Sequence, residues 1–217
     1  HVDNPNSISN LSNNFLSEED IIIWDDDENL GSYKCGEYIN DKFYMLSLII
    51  TALGSYGFLI THYSISVDDL EWDRYYYGEL IAQGRLTATV FHRLFNLTDN
   101  NICIQDFWGM IFLCIGTILL CVAIDNFVDS SRRFPKIVFS CLFVSYPLHS
   151  ELFSYNGCFL AVGLGTVLIA LALLFSIQYQ KEKKILYLVL SAVFILPAAS
   201  WYESVLPIYI AAVFGIL

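Results

Sequence analysis

Between Ser66 and Leu97 the chain reads SVDDLEWDRYYYGELIAQGRLTATVFHRLFNL, a polar, aromatic and acidic stretch between two long apolar runs. Its residue types can do chemistry at a membrane surface. Asp68 and Asp69 are adjacent carboxylates, and Ser66 followed three residues later by Asp69 has the spacing of a helix-capping box. That places both aspartates in a first helical turn, where free backbone N–H groups favour negative charge, so both are expected to be ionised. Arg85 and Arg93 carry guanidinium groups, which bind phosphate oxygens through two parallel hydrogen bonds and cannot lose their charge. Trp72, Tyr75, Tyr76 and Tyr77 offer flat faces at headgroup depth. Each also has a plainer reading: the aspartates as caps, the aromatics as an interfacial belt, the arginines as side chains snorkelling to lipid phosphate.

The elements that would hold these residues are two short helices lying at the membrane surface. Leu70, Tyr77, Leu80 and Ile81 recur at roughly helical spacing up to Gly84, and Arg85–Leu97 forms a second amphipathic run with Arg85, His92 and Arg93 beside its apolar face. The flanking runs, Phe43–Thr61 and Phe107–Ile124, are uncharged. At about 1.5 Å per residue each runs about 27–29 Å, within the length range of helices that cross a hydrocarbon core of about 30 Å. Gly54 and Gly57 read as positions of close helix packing.

Further spans follow. Arg132, Arg133 and Lys136 gather in one connection and KEKK at 181–184 forms another basic cluster; short loops rich in Lys and Arg stay in the cytoplasm. Counting from there, Ile137 to about Leu152 runs outward, Cys158–Gln178 returns, Ile185–Ser200 runs outward and Ser204 begins another return. The N-terminus is then inside, and three polar places share the extracytoplasmic side. They are the Asp68–Asp69 loop, the loop with His149, Glu151, Tyr155 and Asn156, and the loop with Trp201, Tyr202 and Glu203. The third span has a short apolar core, and a re-entrant course there would reassign the later loops.

The composition agrees with this class: 56% of the 217 residues are hydrophobic and 15% charged, and the mean hydropathy is +0.53, the profile of an integral membrane protein. The net charge of −11 is concentrated in residues 1–42, whose ten acidic and two basic residues contribute −8. That segment reads as a solvated, partly disordered acidic arm on the cytoplasmic side, distinct from the membrane domain at 43–217. No basic footprint for nucleic acid is present. The chain begins at His1 and ends inside the apolar IYIAAVFGIL, as expected of a fragment.

Other signals are weaker. Glu151 and Glu203 stand beside apolar runs, where a carboxylate is costly without a partner or a water-filled cavity, and so they are candidates for a site. His92 and His149 lack metal-ligand spacing and read as structural. Cys114, Cys121 and Cys141 read as small packing residues, and Gly163 and Gly165 as helix-packing positions. There is no CxxC pair, phosphate-binding loop, dinucleotide fingerprint or nucleophile elbow.

The order of an apolar span, a paired-aspartate loop, DDLEWDRYYYGELIAQGRLTATVFHRLFNL with Gly84–Arg85, and a second span resembles the bacterial O-antigen glucosyltransferase family, Gtr type II. ELFSYNGCFLAVGLG and WYESVLPIYI are similar to that family's short outer loops. The family belongs to the broader GT-C class, and the resemblance covers residues 43–217. It implies an all-α polytopic transmembrane bundle, with amphipathic juxtamembrane helices in the first extracytoplasmic loop, in a bacterial inner membrane. It also implies an inverting transfer of a hexose, glucose by expectation, from a polyprenyl-phosphate carrier to a cell-surface glycan. On that reading Asp68 or Asp69 is the base for the acceptor proton, the other aspartate orients it or holds a divalent cation, and no further cofactor is called for. Arg85 and Arg93 hold the departing phosphate, and Trp72 and Tyr76 hold the sugar ring, with Glu151, Tyr155, Tyr202 and Glu203 completing the substrate site. Two other classes stay open: a lipid or glycan transporter without catalysis, and a membrane scaffold whose acidic arm recruits a partner. The clustering of ionisable residues at one interface rather than deep in the spans favours the enzyme.

Overall fold

In the computed structural model, residues 36–62, 82, 85–95, 102–128, 133–153, 158–201 and 205–216 are described. The chain divides into two units, 1–30 and 31–217, and every described residue belongs to the second. Among the described residues all regular structure is helical: α1 (Lys42–Thr61), α2 (Leu86–Phe95), α3 (Ile102–Val128), α4 (Arg133–Val144), α5 (Pro147–Phe153), α6 (Cys158–Glu182), α7 (Ile185–Trp201) and α8 (Leu206–Ile216). Three of these, α1, α3 and α6, are long and apolar enough to cross a membrane. α7 and α8 are shorter apolar helices.

The centre of the unit is the pairing of α3 with α6. Gly109 and Gly116 on α3 meet Gly163, Thr166 and Val167 on α6 in the same chain order, so the two helices run parallel. A Cβ at Gly163 would overlap the Gly109 carbonyl, and one at Gly116 would lie 2.8 Å from Thr166 Cγ2. Small residues let the backbones approach, which is how helices gain contact area where lipid is as apolar as the side chains. Leu120 and Ala123 then pack with Ala170, Leu173 and Ile177 further along. The expectation for Gly163 holds. That for Gly54 and Gly57 does not: a Cβ at either would meet nothing within 4 Å.

α1 and α4 form a second parallel pair against α3. Tyr44 Oη and Ser140 Oγ are 2.8 Å apart, Thr51 Oγ1 reaches Cys141 Sγ at 3.3 Å, and Tyr56 Oη donates to the Val144 carbonyl. Cys121 of α3 joins the first of these, its Sγ 3.1 Å from Ser140 Oγ. The opposite face of α1 exposes Phe43, Leu46, Ile49, Ile50, Leu53 and Phe58, as expected of a helix with one side to lipid.

The run read as a third span, Ile137 to about Leu152, is not one helix. α4 ends at Val144, and α5 starts at Pro147. Proline lacks an N–H and disfavours helical geometry in the residue before it, but it fits a first helical position, so the chain stops and restarts here. At 12 residues, α4 spans about 18 Å, well short of a hydrocarbon core.

One end of the bundle is fastened by charge. Asp41 caps α1, accepting from the amides of Phe43 at 3.0 Å and Tyr44 at 3.1 Å, and it also pairs with Arg133 at the start of α4. Desolvation works to raise its pKa, but those amides and the guanidinium outweigh it and hold the carboxyl below its ordinary value. Asp125, near the end of α3, is buried between Tyr38, which donates its hydroxyl, and Lys136, whose Nζ lies 2.5 Å away. Tyr38, within the segment read as the acidic arm, is itself buried. α6 also ends on this side, and Lys183, at φ 56°, turns the chain into α7.

Candidate functional site

The parallel pairs fix what lies at the other end. α1 and α4 both start at the Asp41–Arg133 end and α3 finishes there, so Thr61, α5 and the first turns of α3 and α6 stand together at the opposite end. α7 returns from Lys183–Lys184 and brings Ser200 and Trp201 to the same place.

α2 is docked onto that end. The amide of Thr87 donates to Ser200 Oγ at 3.2 Å, and the Phe91 ring lies on Trp201 with centroids 4.4 Å apart. Trp201 is buried, so α2 is held by an aromatic anchor that is itself fixed in the bundle. Thr89 faces inward and bonds back to the Arg85 carbonyl at 3.1 Å, whereas Leu86, Val90 and Leu94 form an exposed stripe at four-residue intervals. This is the second amphipathic helix expected from the sequence.

The structure describes three of the ten expected site residues. Arg85 is half-buried at the foot of α2, where the helix meets α7; Arg93 is exposed two turns further along; Glu151 is exposed on α5. All three belong to the same end of the bundle. Asp68, Asp69, Trp72, Tyr76, Tyr155, Tyr202 and Glu203 lie outside the described residues, as does the helix expected to start at Ser66. Among the described residues no group of three His, Cys, Asp or Glu side chains is placed to hold a metal ion.

Three polar residues stand at this end that sequence reasoning did not single out for a site. Gln105 and Asp106 are buried in the first turns of α3. His149 on α5 is 6% exposed, and neither ring nitrogen has a hydrogen-bond partner. Its neighbours are aromatic: the Phe143 ring is edge-on at 5.4 Å and Tyr146 at 5.9 Å. Leaving a buried polar group unsatisfied costs about 1–3 kcal/mol, so such a position calls for a reason. The signal available in sequence was an imidazole two residues before a carboxylate at the end of an apolar run.

The geometry therefore assembles two arginines, a carboxylate, buried polar groups and an anchored amphipathic helix at one end of a membrane bundle. Such a surface can bind an anionic headgroup and a polar group beside it. A family model described as Glucosyl transferase GtrII matches residues 57–217. Neither a curated protein nor a solved structure matches the chain.

Proposed function

The chain belongs to the glucosyl transferase GtrII family, and from that premise we propose that it moves glucose from a polyprenyl-phosphate carrier to a cell-surface glycan, on the extracytoplasmic face of a bacterial inner membrane. The observation that carries this reading is the docking of α2 on α7 through Thr87–Ser200 and Phe91–Trp201, which sets Arg85 at a bundle end beside helices long enough to cross the bilayer. A lipid-linked donor presents its phosphate at headgroup depth, and a half-buried guanidinium anchored there is suited to it.

The proposed reaction is a single displacement of GT-C type. Asp68 or Asp69 takes the proton of the acceptor hydroxyl as its oxygen attacks the anomeric carbon. The bond from that carbon to the phosphate oxygen breaks, and the polyprenyl phosphate leaves with the electron pair, its charge met by Arg85 and Arg93. One displacement inverts the anomeric configuration. Trp72, Tyr76, Tyr155 and Tyr202 line the sugar, Glu151 and Glu203 accept from its hydroxyls or the acceptor's, and the second aspartate orients the base or holds a divalent cation.

The test is glucosyl transfer by the full-length protein in membranes supplied with polyprenyl-phosphate glucose, comparing wild type with Arg85→Gln. Loss of transfer on the order of a hundredfold at unchanged expression supports the phosphate role. Unchanged transfer removes Arg85 from the site.

A further inference from the structure

Many buried polar side chains of the described bundle have a hydrogen-bond partner, although the buried Oδ1 of Asn126 at the end of α3 does not. Tyr44 meets Ser140, Tyr56 meets the Val144 carbonyl, Thr117 and Thr166 bond back to their own helices at 2.7 and 2.8 Å, and Ser176, Ser191 and Tyr209 form a hydroxyl cluster. Asp125 has Tyr38 and Lys136. His149 departs from that pattern, with both ring nitrogens buried and unmatched, and it does so at the bundle end that carries α2 and Glu151.

We propose that His149 is a sugar-binding residue, its imidazole taking a hydroxyl of the transferred hexose; this rests on the reading of the protein as one that binds a lipid-linked sugar. A neutral imidazole offers one N–H donor and one lone-pair acceptor. A hydroxyl can complement whichever nitrogen faces the sugar, since it both accepts and donates, whereas a fully ionised phosphate oxygen can only accept and so serves the N–H alone. Phe143 and Tyr146 stand edge-on to the ring and fix its plane without satisfying either nitrogen. Tyr146 sits at the break between α4 and α5 and is itself 54% exposed, so the imidazole lies one side chain in from the surface on that side. His149 thus supplies selectivity for the sugar, separate from the arginines that would hold the phosphate.

The experiment is binding of polyprenyl-phosphate glucose against bare polyprenyl phosphate, to the full-length protein in lipid nanodiscs, for wild type, His149→Gln and His149→Phe, with transfer measured in parallel. Wild type should prefer the glucosylated carrier. His149→Phe, which keeps the ring and removes both nitrogens, should lose that preference by about tenfold or more, while His149→Gln, which keeps a donor and an acceptor, retains most of it. Affinity for bare polyprenyl phosphate should not change in either variant. A wild-type preference that survives in His149→Phe overturns the proposal, as does a wild type that binds both carriers equally. Should His149→Phe fail to reach the membrane, His149→Leu is read in the same way. Preference without transfer in wild type would defeat the enzyme reading and leave His149 as a sugar ligand.

Discussion

Gly163 on α6 lies so close to Gly109 on α3 that a single methyl group at 163 would overlap the Gly109 carbonyl. The obstacle is backbone, which cannot swing aside as a flexible side chain can. Gly163→Ala should therefore destabilise the protein by about 1–3 kcal/mol, the range for overpacking a close contact. Gly54→Ala in α1, where the added carbon meets nothing, should be neutral or slightly stabilising, since alanine is the better helix former. Thermal unfolding of the two variants in detergent checks the contrast.

These glycines also show what hydropathy could and could not reveal. The spans at α1, α3 and α6 were legible because uncharged runs of sufficient length have few alternatives to a membrane helix, and Gly163 was legible as packing. Gly54 and Gly57 look the same in sequence, yet they face away from neighbours, because which side of a uniformly apolar helix packs is decided by partners far along the chain. Pro147 was visible, but its effect of dividing α4 from α5 depends on the helices either side. At the candidate site, Arg85 and Arg93 fell on a helix whose amphipathic pattern announced it. The burial of Gln105, Asp106 and His149 was not legible, because a polar residue at the edge of an apolar run looks like a border whether it faces water or the bundle.

The pairing of Tyr38 with Asp125 joins residues 87 positions apart and buries a carboxylate. Lys136→Met should be the more damaging change there, about 3–5 kcal/mol, because it leaves a buried charge without its counter-ion. Tyr38→Phe removes one hydrogen bond to a charged group and should cost about 1.5–3 kcal/mol. Denaturation of each single variant and of the double variant would expose the coupling as non-additivity.

Lys183 turns α6 into α7 with a backbone φ of 56°, the left-handed region that glycine enters without steric cost. Lys183→Gly should be neutral or stabilise by up to about 1 kcal/mol, and Lys183→Val should destabilise by more than that. Melting temperatures of the two variants decide it.

Trp201 anchors α2 through Phe91. Trp201→Ala should cost about 3–5 kcal/mol if fully felt in the core. Phe91→Ala, on the helix side of the same contact, should leave the bundle's melting largely intact while reducing glucosyl transfer about tenfold or more, because it loosens the helix that carries Arg85. Equal loss of transfer and stability in Phe91→Ala would mean that α2 is part of the bundle's core rather than a platform for the site.

The most direct test of the account is transfer of glucose from polyprenyl-phosphate glucose by the full-length protein in membranes, with Asp68→Asn and Asp69→Asn measured beside wild type. The account predicts transfer by wild type and a loss on the order of a hundredfold or more in one of the two variants at equal expression, which identifies the base. Wild-type transfer in both variants would contradict it.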